Sequence, residues 1–245
     1  MLLVSNGCSH TAGAELEYPQ QGDCYSKAWP KHLADSLGYD HINLSMSGAS
    51  VARIIRTTYE FIYEWICLGK STKDLLAVIM WPGIYRTEVY AEQLHNYNFD
   101  NNWTPIIIGN DNHYKKRFSP SLYYYYKSWA TNITGYQGSC DFYIAVTNLQ
   151  NLLHRYGIRY LFLDATNSGL LTQHPNLDCY RIHIDKRYYE GFDDSENCYI
   201  NLCNKTNQKI SKYSVDSGFN SHYDEDAQVW YANHVNHVIH KRNIL

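Results

Sequence analysis

The sequence predicts an α/β domain built on a parallel sheet with helices over both of its faces. Three observations carry that expectation. Short strand-like runs occur at 1–6, 41–45, 75–81 and 158–164, and segments of helical periodicity lie between and after them. The chain has 245 residues and 44% hydrophobic content, enough to bury one large core.

The first run, LLVS at 2–5, reads as a buried strand, and Gly7 after it permits a sharp turn. Ser26–Leu37 (SKAWPKHLADSL) sets Ala28, Trp29, His32, Leu33 and Leu37 near helical spacing, with Gly38 as its C-cap. HINLS at 41–45 is the second strand. It leads through SGAS into a helix over Val51–Leu68, where Val51, Ile54, Ile55, Thr58, Ile62 and Trp65 form an apolar stripe ended by Gly69. LLAVIMW at 75–81 is the third strand, and a helix over Asp141–Tyr156 feeds the fourth, IRYLFLD at 158–164. The last helix covers Glu225–Lys241, capped by Asp224, with Val229, Trp230, Ala232, Val235, Val238 and Ile239 on its apolar face. Two stretches break the alternation: 84–135, rich in Tyr, Asn and Trp, and the polar 165–221. Stretches of this length are expected to be lids or insertions with short structure of their own. With no repeat and no linker, the expected organisation is a single domain over 1–245 with insertions at about 84–135 and 165–221.

The bulk numbers exclude several classes. A net charge of −3 and a pI near 6.4 give no footprint for nucleic acid, and Lys115-Lys116-Arg117 reads as a solvated loop. The first apolar run stops at Val4, which gives no export signal, and no stretch approaches the roughly 20 apolar residues of a membrane span. Seven cysteines without CxxC spacing point to reduced thiols and a cytoplasmic protein, in which the sequons at Asn102, Asn132 and Asn204 are incidental. No metal is expected. His234, His237 and His240 recur every three residues and so drift around their helix, and Asp111 and His113 share a loop without further ligands. A nucleotide-binding domain is the weaker reading, because the first loop lacks GxGxxG and GxxxxGK.

In an open parallel sheet, ligands bind beyond the carboxyl ends of the strands. Ser9, in GCSHT, stands at the first such end, either as a helix cap or as a site residue. NLSMSGAS at 43–50 puts Gly48 at the second, where a backbone N–H can approach a ligand closely. His222 precedes the last helix, and histidine is the usual base that takes the proton of a serine hydroxyl.

In this order the three segments resemble the blocks of the SGNH/GDSL hydrolase family. GCSHT stands for the nucleophile block, NLSMSGAS for the second block and SHYDEDAQVWYA for the terminal one, while SKAWPKHLADSLGY resembles the segment joining the first two. The resemblance leaves most of 90–135 and 165–210 uncovered. It implies a flavodoxin-like three-layer α/β/α fold and ester hydrolysis through an acyl-enzyme, with no cofactor. Ser9 is then the nucleophile and His222 the general base, and the N–H groups of Ser9 and Gly48 belong to the oxyanion hole. Two departures stand out. The third block has no Asn in MWPGIYRTE at 80–88, so Arg86 or the backbone near Gly83 is the substitute, or the hole has only two donors. Three residues before His222 lies Phe219, so the nearest upstream acid is Asp216; without it, Ser9 and His222 form a dyad.

Other residues have plainer readings. Cys8 is packing, His10 belongs to the pocket wall at most, and Asp164 lines the pocket or caps the turn after its strand. The 24 Tyr and 6 Trp suit packing, and also suit a lid over an O-acylated carbohydrate or a small acyl ester. The alternative to an esterase is a catalytically silent SGNH-like module that binds a glycan or a protein in a larger assembly; homo-oligomerisation stays open. The high Asn, Tyr and Ile content fits an AT-rich genome, a viral one included, since loosely similar SGNH-like chains occur in phages.

Overall fold

The computed structural model describes residues 1–17, 23–90, 102–166, 175–192, 194–211 and 222–245. Along the chain the strands are β1 (Leu2–Asn6), β2 (Asp40–Asn43), β3 (Leu75–Trp81), β4 (Arg86–Tyr90), β5 (Trp103–Ile107) and β6 (Arg159–Asp164). The helices are α1 (Ser9–Ala12), α2 (Trp29–Leu37), α3 (Val51–Cys67), α4 (Asp111–Arg117), α5 (Pro120–Asn132), α6 (Gly135–Arg155), α7 (Asp178–Arg181), α8 (Tyr199–Lys205) and α9 (Glu225–Lys241).

β1, β2, β3 and β6 form a parallel sheet in the order β2-β1-β3-β6, the doubly wound order of the flavodoxin-like class. The step from β1 to β2 runs one way across the sheet and the step from β2 to β3 runs back. Right-handed crossovers therefore put α2 and α3 on opposite faces, which makes three layers. The register sets Asn6 beside Ile79 and Trp81 beside Asp164. On one face the Asn6 amide donates to Thr57 and Thr58 of α3 at 2.8 and 2.9 Å, and Trp81 meets Phe142 of α6 edge-on. On the other, α2 and α9 pack together: Gln228 accepts from the Trp29 N–H at 3.0 Å and donates to the Tyr199 hydroxyl at 2.9 Å. Every residue of β3 is buried, as a strand covered on both sides requires.

Most elements lie where the sequence puts them, and the differences have physical causes. α2 begins at Trp29 rather than Ser26, because Pro30 fits only a first turn. α6 begins at Gly135, capped by Thr134, whose hydroxyl accepts from the Gln137 N–H at 3.1 Å. The described residues of the 84–135 insertion form an antiparallel β4–β5 pair followed by α4 and α5, with a small core of Ile106, Tyr114 and Tyr126. Lys115, Lys116 and Arg117 are exposed as expected, but they form the last turn of α4 rather than a loop, a position that suits cations at the negative end of a helix. The strand pair is tied to α3 by Arg56, which donates to both oxygens of Glu88 at 2.9 and 3.0 Å and lies over the Trp103 ring. Among the described residues no helix is long and apolar enough to cross a membrane.

Candidate functional site

The turn after β1 is closed by its own residues. The Gly7 N–H donates to Asn6 Oδ1 at 2.9 Å, and a Cβ at position 7 would fall 2.2 Å from Thr11 Oγ1, so only glycine fits. Cys8, fully buried, precedes the one-turn helix α1, and its carbonyl accepts from the N–H groups of Thr11 and Ala12. Ser9 is thus the first helical residue at the carboxyl end of β1, beside the switch point between β1 and β3, and is half-buried.

The loop after β2 rests on this turn. The Met46 N–H donates to the Gly7 carbonyl at 3.3 Å, and the Asn43 amide donates to the Thr11 carbonyl at 3.0 Å. Asp23 accepts from the backbone N–H of Ser47 at 3.0 Å and from its hydroxyl. Gly48 follows with φ +80°, a left-handed conformation that glycine adopts freely.

The carboxyl-terminal segment completes the cluster. Residues 209–211 and 222–224 run side by side, with Ser211 N–H donating to the His222 carbonyl at 2.8 Å and Asp224 N–H donating to the Lys209 carbonyl at 2.9 Å. His222 Nδ1 lies 2.8 Å from Glu15 Oε2, and both side chains are mostly buried, at 14% and 18% exposure. Glu15 holds φ +61°, and its carbonyl accepts from the Ser211 hydroxyl at 2.6 Å. The His10 ring meets the rings of His222, at 4.8 Å, and Tyr199, at 5.1 Å, tilted by 44° and 47°. Burial first, then the His222 and Arg86 charges, hold the His10 imidazole well below its ordinary range, so it is neutral near pH 7.

The structure therefore brings His10, the residue after Ser9, against His222. Among the described residues no hydrogen bond joins the Ser9 hydroxyl to the His222 ring. Asp216 lies outside the described residues; the acid found at His222 Nδ1 is Glu15, which the sequence reading missed. The signal available was its position six residues after Ser9, on the loop leaving the turn after β1. Arg86 opens β4, and its charge acts on both His10 and Tyr114. It also lines a cleft of about 260 Å³ with Trp129 and Asp141.

The remaining candidates take ordinary places. Asp164 Oδ1 accepts from the Thr166 N–H at 3.3 Å and so caps the turn after β6. His234 stacks on Trp230, while His237 and His240 are exposed. Asp111 binds Tyr126 and Lys127, and those two hydrogen bonds hold its carboxyl below the usual range. Among the described residues no group of three or more His, Cys, Asp or Glu could hold a metal ion.

The sequence profile of DUF6071, described as a family of unknown function, matches residues 17–189. No curated protein matches the chain. Among solved structures it is similar to the acetyl xylan esterase AlAXEase, at 13% identity and TM-score 0.42, over 96% of this chain and 98% of that one. It is also similar to the acetyl xylan esterase Est2A from the rumen bacterium Butyrivibrio proteoclasticus, at 8% identity and TM-score 0.47, over 100% of this chain and 65% of that one. A third similar structure is the psychrotrophic esterase EstA from Pseudoalteromonas, at 12% identity and TM-score 0.44, over 98% and 97%.

Proposed function

The chain belongs to DUF6071, a family of unknown function, and we propose that it is a serine-dependent ester hydrolase working through an acyl-enzyme, with Ser9 as nucleophile and His222 as general base. The observation that supports this reading most is the pairing of His222 Nδ1 with the Glu15 carboxylate at 2.8 Å, beside the residue that follows Ser9. A carboxylate at Nδ1 keeps the proton there and leaves Nε2 as the acceptor for a serine proton; it also stabilises the imidazolium that forms. Glu15 takes the orienting role that the sequence assigns to Asp216.

In the proposed cycle Ser9 Oγ attacks the ester carbonyl as its proton passes to His222, and the alcohol leaves with that proton. Water, deprotonated by the same imidazole, then releases the acid and frees Ser9. The N–H groups of Ser9 and Gly48 face the developing oxyanion, and Arg86 supplies positive charge in place of the absent Asn. Catalytic contacts often tighten only when substrate is bound, and the reading expects the Ser9 hydroxyl to bond His222 Nε2 in the substrate complex. Substrates of the class are small acyl esters or O-acylated carbohydrates.

A serine-directed fluorophosphonate probe tests the reading. Labelling of the wild type and not of Ser9→Ala is the expected result; a wild type that stays unlabelled removes the nucleophile and leaves a binding module. The missing hydrogen bond from Ser9 and the absent Asn favour that second reading.

A further inference from the structure

A cleft of about 250 Å³ lies between the Gly48 loop and the insertion. Gly48 forms one wall; Pro105 and Ile107 of β5 and Tyr114 and Phe118 of the α4 segment form the other. These walls present mostly carbon. The Tyr114 hydroxyl is engaged by the Ile107 N–H at 2.8 Å, so its ring, stacked on Phe118 at 4.5 Å, faces the cleft as a hydrocarbon surface. Arg117 lines the cleft too, with its guanidinium at 3.2 Å from the His113 ring.

Two links join this cleft to the reacting atoms. Gly48, a wall residue, sits on the loop that Met46 ties to the Gly7 carbonyl, two residues before Ser9. Arg86 stands opposite Ile107 in the β4–β5 ladder, and its charge is felt at His10 on one side and at Tyr114 on the other.

We propose that this cleft receives the acyl group of the ester, and that the group is a hydrocarbon chain of roughly four to eight carbons rather than acetyl, since the volume equals about eight water-sized shares of 30 Å³. The proposal rests on the ester-hydrolase reading for its assignment to the acyl side. Ser47, Thr104 and Asn110 also line the cleft, but most of its exposed surface is carbon, which favours a hydrocarbon chain over a sugar as occupant.

The test has two arms. In the first, kcat/KM is measured for p-nitrophenyl acetate, butyrate and hexanoate. It rises roughly fourfold for each methylene buried. Ile107→Trp, which fills the cleft, brings the hexanoate-to-acetate ratio down to about one, and Phe118→Ala, which enlarges it, moves the optimum to longer chains. In the second, binding of the uncharged hexanamide to wild type and to Ile107→Trp is followed by calorimetry, which needs no turnover. Ester hydrolysis with a flat or falling chain-length profile overturns the acyl cleft and leaves the Ser9 reading standing. Hexanamide binding lost in Ile107→Trp, in a protein that cleaves no ester, supports the hydrocarbon site and removes the esterase. No binding and no chain-length preference overturn the proposal outright.

Discussion

The residue that changes the chemistry most is Glu15. Its backbone lies in the left-handed region at φ +61°, a conformation uncommon for a side chain of this size, and the contact that accompanies it is the one with His222. Glu15→Gln keeps the shape and removes the charge; kcat for ester cleavage is expected to fall about 10²–10⁴-fold with KM nearly unchanged, measured at steady state. Gly7 makes a second prediction. Alanine there forces its Cβ against Thr11, 2.2 Å from Oγ1 and 2.8 Å from Cβ, and overpacking of this kind costs about 1–3 kcal/mol, to be read from denaturant midpoints. At this scale the positions of Ser9, Gly48 and His222, at a strand end or just before a helix, are legible from local pattern, while their roles rest on the proposal. Glu15 was not, because its partner is 207 positions away and no spacing rule links them.

Among the elements, the four parallel strands and the helices α3 and α9 were legible from periodicity alone. The β4–β5 pair was not. β5 alternates in burial but β4 does not, and Pro105 lies inside β5, where proline demotes a run to an edge or to no strand at all. The pair owes its position to Arg56 and Glu88, whose side chains are 17% and 4% exposed. Removing one partner strands a buried charge, so Arg56→Met is expected to destabilise the fold by about 3 kcal/mol, measured by chemical denaturation. A loss near zero would mean that the strand pair is held by packing alone. α6 shows a different failure of pattern: Gly135 and Gly138 lower helix propensity at its start, and only the Thr134 cap marks where it begins.

For the molecule as a whole, acid is the expected weakness. Burial, and secondarily Lys31, lower the His41 imidazole to about 4 against a slight opposing pull from Asp35, and His10 is held well below its ordinary range. Both rings take up a proton near pH 6.5 when unfolded but not when folded. The unfolded state therefore binds more protons between about 4 and 6.5, so stability is full above that window and declines as pH falls through it. Thermal midpoints recorded from pH 7.5 to 4.5 should show the decline, and His41→Gln, which keeps a polar group near the Ser5 hydroxyl, should flatten part of it. One consequence belongs to biosynthesis. Because Glu15 meets a histidine 207 positions later, a nascent polypeptide can form this hydrogen bond only once residue 222 has cleared the ribosome. Any product of premature termination upstream of that point carries the hydroxyl and the carboxylate without the imidazole that the proposed mechanism uses.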